Sequence, residues 1–231
     1  MVRIEESLLT GLPPFSRLAS REIREILDRA THRRWDAGSS VFLEAEPADR
    51  FFLLLDGTIR VVRTMPDGEQ VVPHHIPAGQ LFGIARALRR DTYPATAVAA
   101  VECFTLSWPT GMWDDFAARY DGFATETWRE IGERMEMLHE QIAELSTRAV
   151  EQRVAAALLR MVGQSGRKTQ KGIEIGFPIT RGTISDMTGT TLHTVSRLLS
   201  SWEKLGYVAS ARKRITITDP HRLVLIREGR G

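Results

Sequence analysis

The sequence predicts an α+β protein built from an N-terminal antiparallel β-roll, a long helix and a C-terminal winged helix-turn-helix. Three observations support this prediction: short apolar runs between Thr31 and Leu106, an apolar heptad repeat over Trp128–Leu145, and a two-helix pattern over Thr180–Glu203 that is followed by a β-hairpin. The predicted parts are 1–109, the β-roll with a flanking helix, 110–146, the long-helix region, and 147–231, the winged helix-turn-helix.

The β-roll is predicted from the regular spacing of its strands. Helical periodicity over 15–30 gives way at Thr31 to short apolar runs broken by Gly, Pro and Asp. Asp56-Gly57 and Asp67-Gly68 are strong turn signals between such runs. Strands at this spacing favour a closed antiparallel roll, whose interior can hold a small ligand.

The long helix has an apolar residue at every third or fourth position, the a/d spacing of a coiled coil. One interpretation is an amphipathic helix packed on its own β-roll. The unbroken 3.5-residue period favours instead a two-stranded coiled coil between subunits, with Ser146-Thr147 as the hinge that follows it. The predicted dimer contacts are Trp128, Ile131, Met135, Leu138, Ile142 and Leu145.

The segment Thr180–Glu203 is typical of a helix-turn-helix. Gly189 lies where the turn between the helices needs a residue without Cβ strain, and Thr190 or Thr191 can cap the second helix. That helix has an apolar stripe for inward packing, formed by Val195, Leu198, Leu199 and Trp202. His193, Ser196 and Arg197 lie off the stripe, and an arginine there can donate two hydrogen bonds to guanine. The alternative is a surface helix with a solvated arginine.

A basic hairpin follows the second helix. Ile215 and Ile217 alternate with threonines after Arg212-Lys213-Arg214, which predicts a wing whose tip lies against DNA phosphates. The alternative is a solvated run of charge. The candidate DNA-contacting residues are therefore Arg197, Ser196, His193, Thr191, Thr194, Thr180, Arg181, Arg212, Lys213 and Arg214.

Charge and cysteine content limit the classes of function. Residues 148–231 carry 15 Lys+Arg and 6 Asp+Glu, whereas 1–147 carry 16 and 23, so a basic C-terminal part follows an acidic N-terminal part. A single cysteine, Cys103, excludes an intramolecular disulfide and a four-thiolate iron–sulfur cluster within the chain. We find no nucleophile–base pairing, no metal-ligand spacing and no apolar run near ~20 residues. We therefore expect a cytoplasmic protein with no membrane partner that is not an enzyme.

The order of these parts resembles the superfamily of the cyclic AMP receptor protein and the fumarate–nitrate reduction regulator. The most specific motifs are FFLLLDGTIRV (51–61), AGQLFG (78–83), EQRVAAALL (151–159) and TVSRLL (194–199). The resemblance implies a homodimeric transcription regulator with a cyclic-nucleotide-binding-like, cupin-like roll. Its implied partners are double-stranded DNA and RNA polymerase.

Departures from the family patterns exclude some classes of effector and cofactor. Cyclic-nucleotide binders have a ribose-binding Glu after the GQLFG-like turn and an Arg-Ser for the phosphate, but this chain has Ile84 and roughly Asp91-Thr92 there. Because Asp91 has the wrong charge for a phosphate, we expect no cyclic AMP binding. The cluster-bearing branch needs several cysteines, so we expect no iron–sulfur cluster.

The motif LHTVSR resembles regulators of denitrification that respond to nitric oxide, in some members through haem. This resemblance implies a TTG–CAA palindrome in which Arg197 recognises the guanine, Ser196 contacts a base or phosphate, and His193 recognises the position where this branch differs.

The resemblance also implies an effector site inside the β-roll. The identity of the cofactor is undecided. Haem is one candidate, and its candidate ligands are His32, His74, His75 and His139. The candidate pocket residues are His74, Phe82, Ile84 and Leu88. The alternative is a regulator of the same type without haem, which acts independently of an effector or responds to another small molecule.

Overall fold

The computed structural model of the chain describes residues 4–64 and 70–230. The predicted turn at Asp67-Gly68 lies outside these residues. The chain forms two compact units, one of Met1–Gln70 with His74–Met137 and the other of Val71–Pro73 with Leu138–Gly231.

The first unit contains the predicted antiparallel β-roll. Its strands form two four-stranded sheets with the orders β1-β8-β3-β6 and β2-β7-β4-β5. The strands are β1 (Thr31–Trp35), β2 (Ser40–Phe42), β3 (Arg50–Asp56), β4 (Thr58–Thr64), β5 (Gln70–Pro77), β6 (Leu81–Phe82), β7 (Thr96–Ala99) and β8 (Cys103–Pro109).

Helices cover the outer face of the first sheet. Strand β3 is apolar at consecutive positions because Phe51 and Leu53 face these helices while Phe52 and Leu54 face the other sheet. The helices before the roll are α1 (Ser7–Thr10), a 3-10 turn (Pro13–Phe15) and α2 (Ser20–Asp28); after it come a 3-10 turn (Thr110–Met112) and α3 (Trp113–Arg119).

The predicted turn at Asp56-Gly57 joins β3 to β4. Gly57 has a φ of +97°, and a Cβ there would lie 2.6 Å from the Cys103 sulfur, so the turn requires glycine.

Helix α4 (Phe123–Thr147) is the predicted long helix. The predicted hinge residues Ser146-Thr147 form its last turn, and the break follows at Arg148-Ala149. The backbone N–H of Ala149 donates to the Gln152 side chain over 2.9 Å, which starts the next helix.

The second unit contains the predicted winged helix-turn-helix. Its strands form one antiparallel sheet with the order β11-β12-β10-β9, in which the polar segment 165–172 supplies the edge strand β9 and the turn into β10. The elements are α5 (Val150–Ser165), β9 (Gly166–Thr169), β10 (Gly172–Ile175), α6 (Arg181–Thr188), α7 (Leu192–Lys204), β11 (Val208–Ala211), β12 (Arg214–Ile217) and α8 (Pro220–Arg227).

Candidate nucleic-acid interface and small-molecule cavity

Threonine caps and one glycine set the turn between α6 and α7. The hydroxyl oxygens of Thr180 and Thr191 accept hydrogen bonds from the backbone N–H groups of Thr183 (3.0 Å) and Thr194 (3.2 Å), the first turns of α6 and α7. Gly189 ends α6 in the left-handed conformation, with φ +56° and ψ +46°. Thr180 and Thr191, two of the predicted DNA-contacting residues, therefore cap the two helices.

Arg153 on α5 donates hydrogen bonds to backbone carbonyls of this turn. No sequence motif indicates this role. Its Nε donates to the carbonyl of Thr188 over 2.9 Å, and its Nη2 donates to the carbonyl of Gly189 over 3.3 Å. Its Nη1 also donates to the carbonyl of Arg148 over 2.9 Å. The guanidinium therefore satisfies carbonyls at the end of α6 that have no partner within the helix.

Helix α7 packs through the predicted stripe. Val195, Leu199 and Trp202 are buried, and Leu198 is partly buried. The Trp202 Nε1 donates to Glu151 over 3.2 Å. The opposite side of the helix is left open to solvent.

The exposed side of α7 carries the predicted base-contacting residues. His193 and Arg197 are exposed, Ser196 and Thr194 are partly buried, and Arg197 has no ion pair among the residues that the structure describes. Leu192, the first residue of α7, is 55% exposed although its spacing from Val195 continues the apolar stripe. Only its place in the first turn distinguishes it in the sequence.

The wing presents three exposed cations, Arg212, Lys213 and Arg214. None of them has an ion pair within residues 4–64 and 70–230. Lys213 has a φ of +57°, and its carbonyl accepts the N–H of Ile179 over 3.0 Å, which ties the wing to the chain just before α6. The cations are thereby held on a defined hairpin.

A groove of about 430 Å³ lies between the wing and the first turns of α6 and α7. Thr180, Arg181, Leu192, Lys213 and Arg214 line it. Arg181 also lies 3.6 Å from a carboxylate oxygen of Glu203, so its charge is partly compensated. The structure thus brings the α6 start, the α7 start and the wing to one surface.

A cavity of about 210 Å³ lies within the β-roll. All four candidate pocket residues, His74, Phe82, Ile84 and Leu88, line it. The other lining side chains are mostly apolar, apart from Thr96 and Arg134. Asp91, which stands roughly where cyclic-nucleotide binders have their phosphate-binding residues, is exposed and does not line it.

Arg134 and His74 form the polar end of this cavity. The Arg134 Nη2 donates to the Gln80 side-chain oxygen over 2.9 Å. The Nδ1 of His74 is buried and has no hydrogen-bond partner in the described parts of the chain. Burial, together with the nearby charge of Arg134, lowers the pKa of His74 to about 4, so its ring is neutral at pH 7.

The other three candidate haem ligands do not line this cavity. His32 on β1 is exposed beside Phe104, and His139 on α4 is exposed. His75 is buried on β5, where burial lowers its pKa to about 4. No group of three His, Cys, Asp or Glu suited to a metal occurs among the described residues.

Cys103 is a core residue. Its sulfur hydrogen-bonds to the carbonyls of Thr58 and Val101, each at 3.3 Å, and burial raises the pKa of the thiol.

Helix α4 leaves most of its predicted dimer contacts open to solvent. Trp128, Met135, Ile142 and Leu145 are each between 45% and 62% exposed, at positions separated by seven, seven and three residues. Ile131 and Leu138 are partly buried. No helix in the described parts of the chain is long and apolar enough to cross a membrane.

Both units match known family models. Residues 32–120 match the cyclic nucleotide-binding domain, and residues 152–226 match the Crp-like helix-turn-helix domain. The matched segments contain the cavity-lining roll and the helix-turn-helix with its wing.

Relatives span most of the chain. It is 25% identical to the global nitrogen regulator of Synechococcus elongatus over 95% of this chain and 96% of the relative. It is 27% identical to the nitrogen fixation regulation protein FixK of Bradyrhizobium diazoefficiens, over 90% and 86%. The CRP-like cAMP-activated global transcriptional regulator of Mycobacterium tuberculosis is 23% identical, over 80% and 83%.

A solved structure has the same fold. FixK2 from Bradyrhizobium japonicum superposes with a TM-score of 0.73 at 22% identity, covering 85% of this chain and 96% of that one. The cyclic nucleotide-binding roll, the long helix and the Crp-like helix-turn-helix occur in one chain, which belongs to the CRP/FNR family of DNA-binding transcription regulators.

Proposed function

We propose that this regulator acts as a homodimer on a TTG–CAA palindrome and that its β-roll responds to a small molecule. The observation that carries the DNA-binding part is the surface shared by α7 and the wing. Four arginine or lysine side chains there, Arg197 and Arg212–Arg214, are exposed and have no ion pair among the described residues, so they are available to DNA.

Base recognition is assigned to the first turns of α7. In helix-turn-helix proteins these turns contact base edges in the major groove. Arg197 donates two hydrogen bonds to guanine O6 and N7 of the TTG half-site, Ser196 contacts a base or phosphate, and His193 contacts the variable position. Leu192 supplies an apolar contact for a thymine methyl group.

Phosphate binding is assigned to the wing and to the start of α6. Arg212, Lys213 and Arg214 project from a hairpin whose backbone is tied to Ile179, and Thr180 and Arg181 lie beside the same groove. These contacts position the domain without distinguishing sequences.

Homodimer formation is supported by the exposed apolar residues of α4. Contiguous exposed apolar surface in a water-soluble domain indicates a binding partner, and a heptad repeat is complementary to a second copy of itself. A two-fold dimer places two recognition helices about 34 Å apart, which matches half-sites one DNA turn apart. RNA polymerase is the partner that such a regulator would recruit or block.

The cavity of the β-roll is too small to enclose haem. A cavity of about 150 Å³ holds one benzene molecule, and the cavity here is about 210 Å³, whereas haem is several times larger than benzene. His74, the only candidate ligand in the lining, lies beside the cation Arg134. Nitric oxide sensing through haem therefore stays a prediction from resemblance, and we favour a smaller effector.

Substitution of Arg197 tests the proposed base recognition. We expect Arg197→Ala to weaken binding to a duplex with TTG and CAA half-sites one turn apart by at least about 30-fold, because each of the two half-sites loses a bidentate contact worth roughly 1–3 kcal/mol. Binding to a scrambled duplex of the same length should change far less, because the phosphate contacts remain. Fluorescence anisotropy at fixed salt measures both affinities.

Arg222→Ala is the matched control, because it removes one positive charge from the exposed surface of α8. We expect it to leave the ratio of specific to non-specific affinity unchanged. An equal loss on both duplexes with Arg197→Ala would contradict the assignment.

A further inference from the structure

Arg134 is a cation in a cavity whose lining is mostly apolar. It comes from α4, lines the cavity with Phe82, Ile84 and Leu88, and hydrogen-bonds to the neutral side chain of Gln80. Among the described residues it forms no ion pair within 4.0 Å. A buried or partly buried charge without a counter-ion is unfavourable, so the site is complementary to an anion.

The surroundings of Arg134 do not neutralise it. Glu130, one turn earlier on α4, attracts the guanidinium but forms no ion pair with it, and burial raises the pKa of Glu130 to about 7. His74 brings a neutral ring whose Nδ1 has no hydrogen-bond partner in the described parts of the chain. Arg134 and His74 therefore line the same cavity.

The shape of the polar end favours a carboxylate. A guanidinium presents parallel N–H groups that match the two oxygens of a carboxylate, and a neutral imidazole can donate from a ring N–H to an oxygen. The rest of the lining, including Phe42, Phe82, Ile84 and Leu88, would surround an apolar body. The ligand class that fits both ends is an organic acid with an apolar part.

The volume of the cavity guides the choice of probe molecules. Because a cavity of about 150 Å³ accommodates benzene, about 210 Å³ suits a molecule slightly larger than benzene. Benzoate and hexanoate are of this size, whereas a cyclic nucleotide is considerably larger.

We propose that the β-roll binds a small organic monocarboxylate, whose carboxylate contacts Arg134 and His74 and whose apolar body fills the cavity. Its meaning as a regulatory signal rests on the proposed function of the chain as an effector-responsive regulator. The binding itself does not depend on DNA, so the two can be tested separately.

Calorimetry with the full chain and no DNA tests the proposal. The probes are benzoate and hexanoate, and the matched neutral probes are benzamide and hexanamide, which have nearly the same shape. We expect at least one carboxylate to bind saturably with 1:1 stoichiometry per chain, and at least tenfold more tightly than its amide.

Two variants assign the binding to Arg134. Arg134→Met keeps much of the side-chain volume without the charge and should weaken carboxylate binding at least tenfold, whereas Arg134→Lys should retain part of it. Arg129→Met, on the same helix but exposed and ion-paired with Glu126 and Glu133, is the control and should bind like the unmodified chain. Circular dichroism establishes that each variant is folded.

Three results would overturn the proposal: no saturable binding of either carboxylate, amides that bind as tightly as carboxylates, or unchanged carboxylate binding in folded Arg134→Met. A failure of DNA binding in the Arg197 experiment would instead contradict the proposed function and leave the calorimetric result unaffected.

Discussion

Leu192 is an apolar side chain on a surface whose other exposed members are mainly polar or charged. It is 55% exposed at the first position of α7, next to His193 and across a groove from the wing. Packing within the chain does not account for a leucine at this place. The proposed contact with a thymine methyl group would account for it, because that methyl is the apolar group on the major-groove edge of a base pair.

Deoxyuridine tests this contact, because it lacks the thymine methyl and keeps every hydrogen-bonding group. We expect thymine-to-uracil replacement at the contacted position of the half-site to weaken binding of the unmodified chain about fourfold, since a buried methyl contributes about 0.8 kcal/mol. In Leu192→Ala the same replacement should change the affinity less than twofold. Anisotropy titrations with the four combinations give the coupling between side chain and methyl.

Leu205→Ala is the matched control, because Leu205 is 59% exposed at the other end of α7. It should keep the full sensitivity to uracil. If Leu192→Ala remains as sensitive to uracil as the unmodified chain at every thymine of the half-site, Leu192 does not contact a thymine methyl.

At the scale of single elements, the turn between α6 and α7 depends on α5. Arg153 donates to carbonyls of Thr188, Gly189 and Arg148, and no other described side chain donates to these three groups. Because the turn fixes the angle between the two helices, Arg153 acts as a positioning residue for the proposed base contacts.

We expect Arg153→Met to lower the free energy of unfolding by about 2 kcal/mol, the range for hydrogen bonds to a charged group. That change corresponds to a fall in Tm of about 4–8 °C for a chain of this size. Well below the Tm, the ratio of specific to scrambled-duplex affinity should fall at least fivefold. Thermal melting and anisotropy measure the two effects separately.

Arg153→Lys keeps the charge but cannot donate to three carbonyls in the same planar arrangement. It should recover part of the stability and little of the specificity. A folded Arg153→Met with full specificity would show that the turn holds its geometry without this side chain.

The elements differ in how far their structure is determined by local sequence. Caps and turns follow from single residues, so Gly57 and Gly189 were predictable in place and role, whereas the cap of α7 was predicted as Thr190 or Thr191 and is Thr191. The polar, glycine-containing segment 165–172 has the composition of a loop, but it forms β9 and the turn into β10, and β10 is held in the sheet by its tertiary pairing with β12. Edge strands with charged residues lack the alternation of apolar and polar residues by which a strand is recognised in a sequence.

The proposed ligand- and DNA-contacting residues that the sequence did not reveal depend on long-range packing. Arg134 lies among the charged residues that alternate with the heptad positions of α4, and such residues are usually solvated. Only the folded β-roll brings Gln80 and His74 against it. Leu192 has the spacing of a core residue, and it is exposed because the helix begins there.

At the scale of the whole molecule, the proposed DNA affinity depends on two copies of the chain. The surface formed by α7 and the wing of one chain contacts one half-site. A second copy, held at the matching distance, then binds the other half-site in an effectively intramolecular step, which raises the affinity by about 10²–10⁴. The exposed apolar residues of α4 are the proposed source of that linkage. Stability of the single chain and occupancy of the palindrome should therefore be separable by mutation.

Ile142→Glu tests this separation, because Ile142 is 62% exposed on α4 and its loss removes little packing within one chain. A charge at a heptad position should disfavour the dimer, since two buried carboxylates would face each other. We expect sedimentation velocity to show a monomer with unchanged helical content, and at least 100-fold weaker binding to the palindrome. Binding to a single half-site, measured per chain, should be unaltered. Ile142→Leu and Glu136→Ala, which keep the apolar stripe, should both remain dimeric. A monomeric unmodified chain that nevertheless binds the palindrome with full affinity would contradict the role of α4, and the link between the two half-sites would then have to lie elsewhere in the molecule.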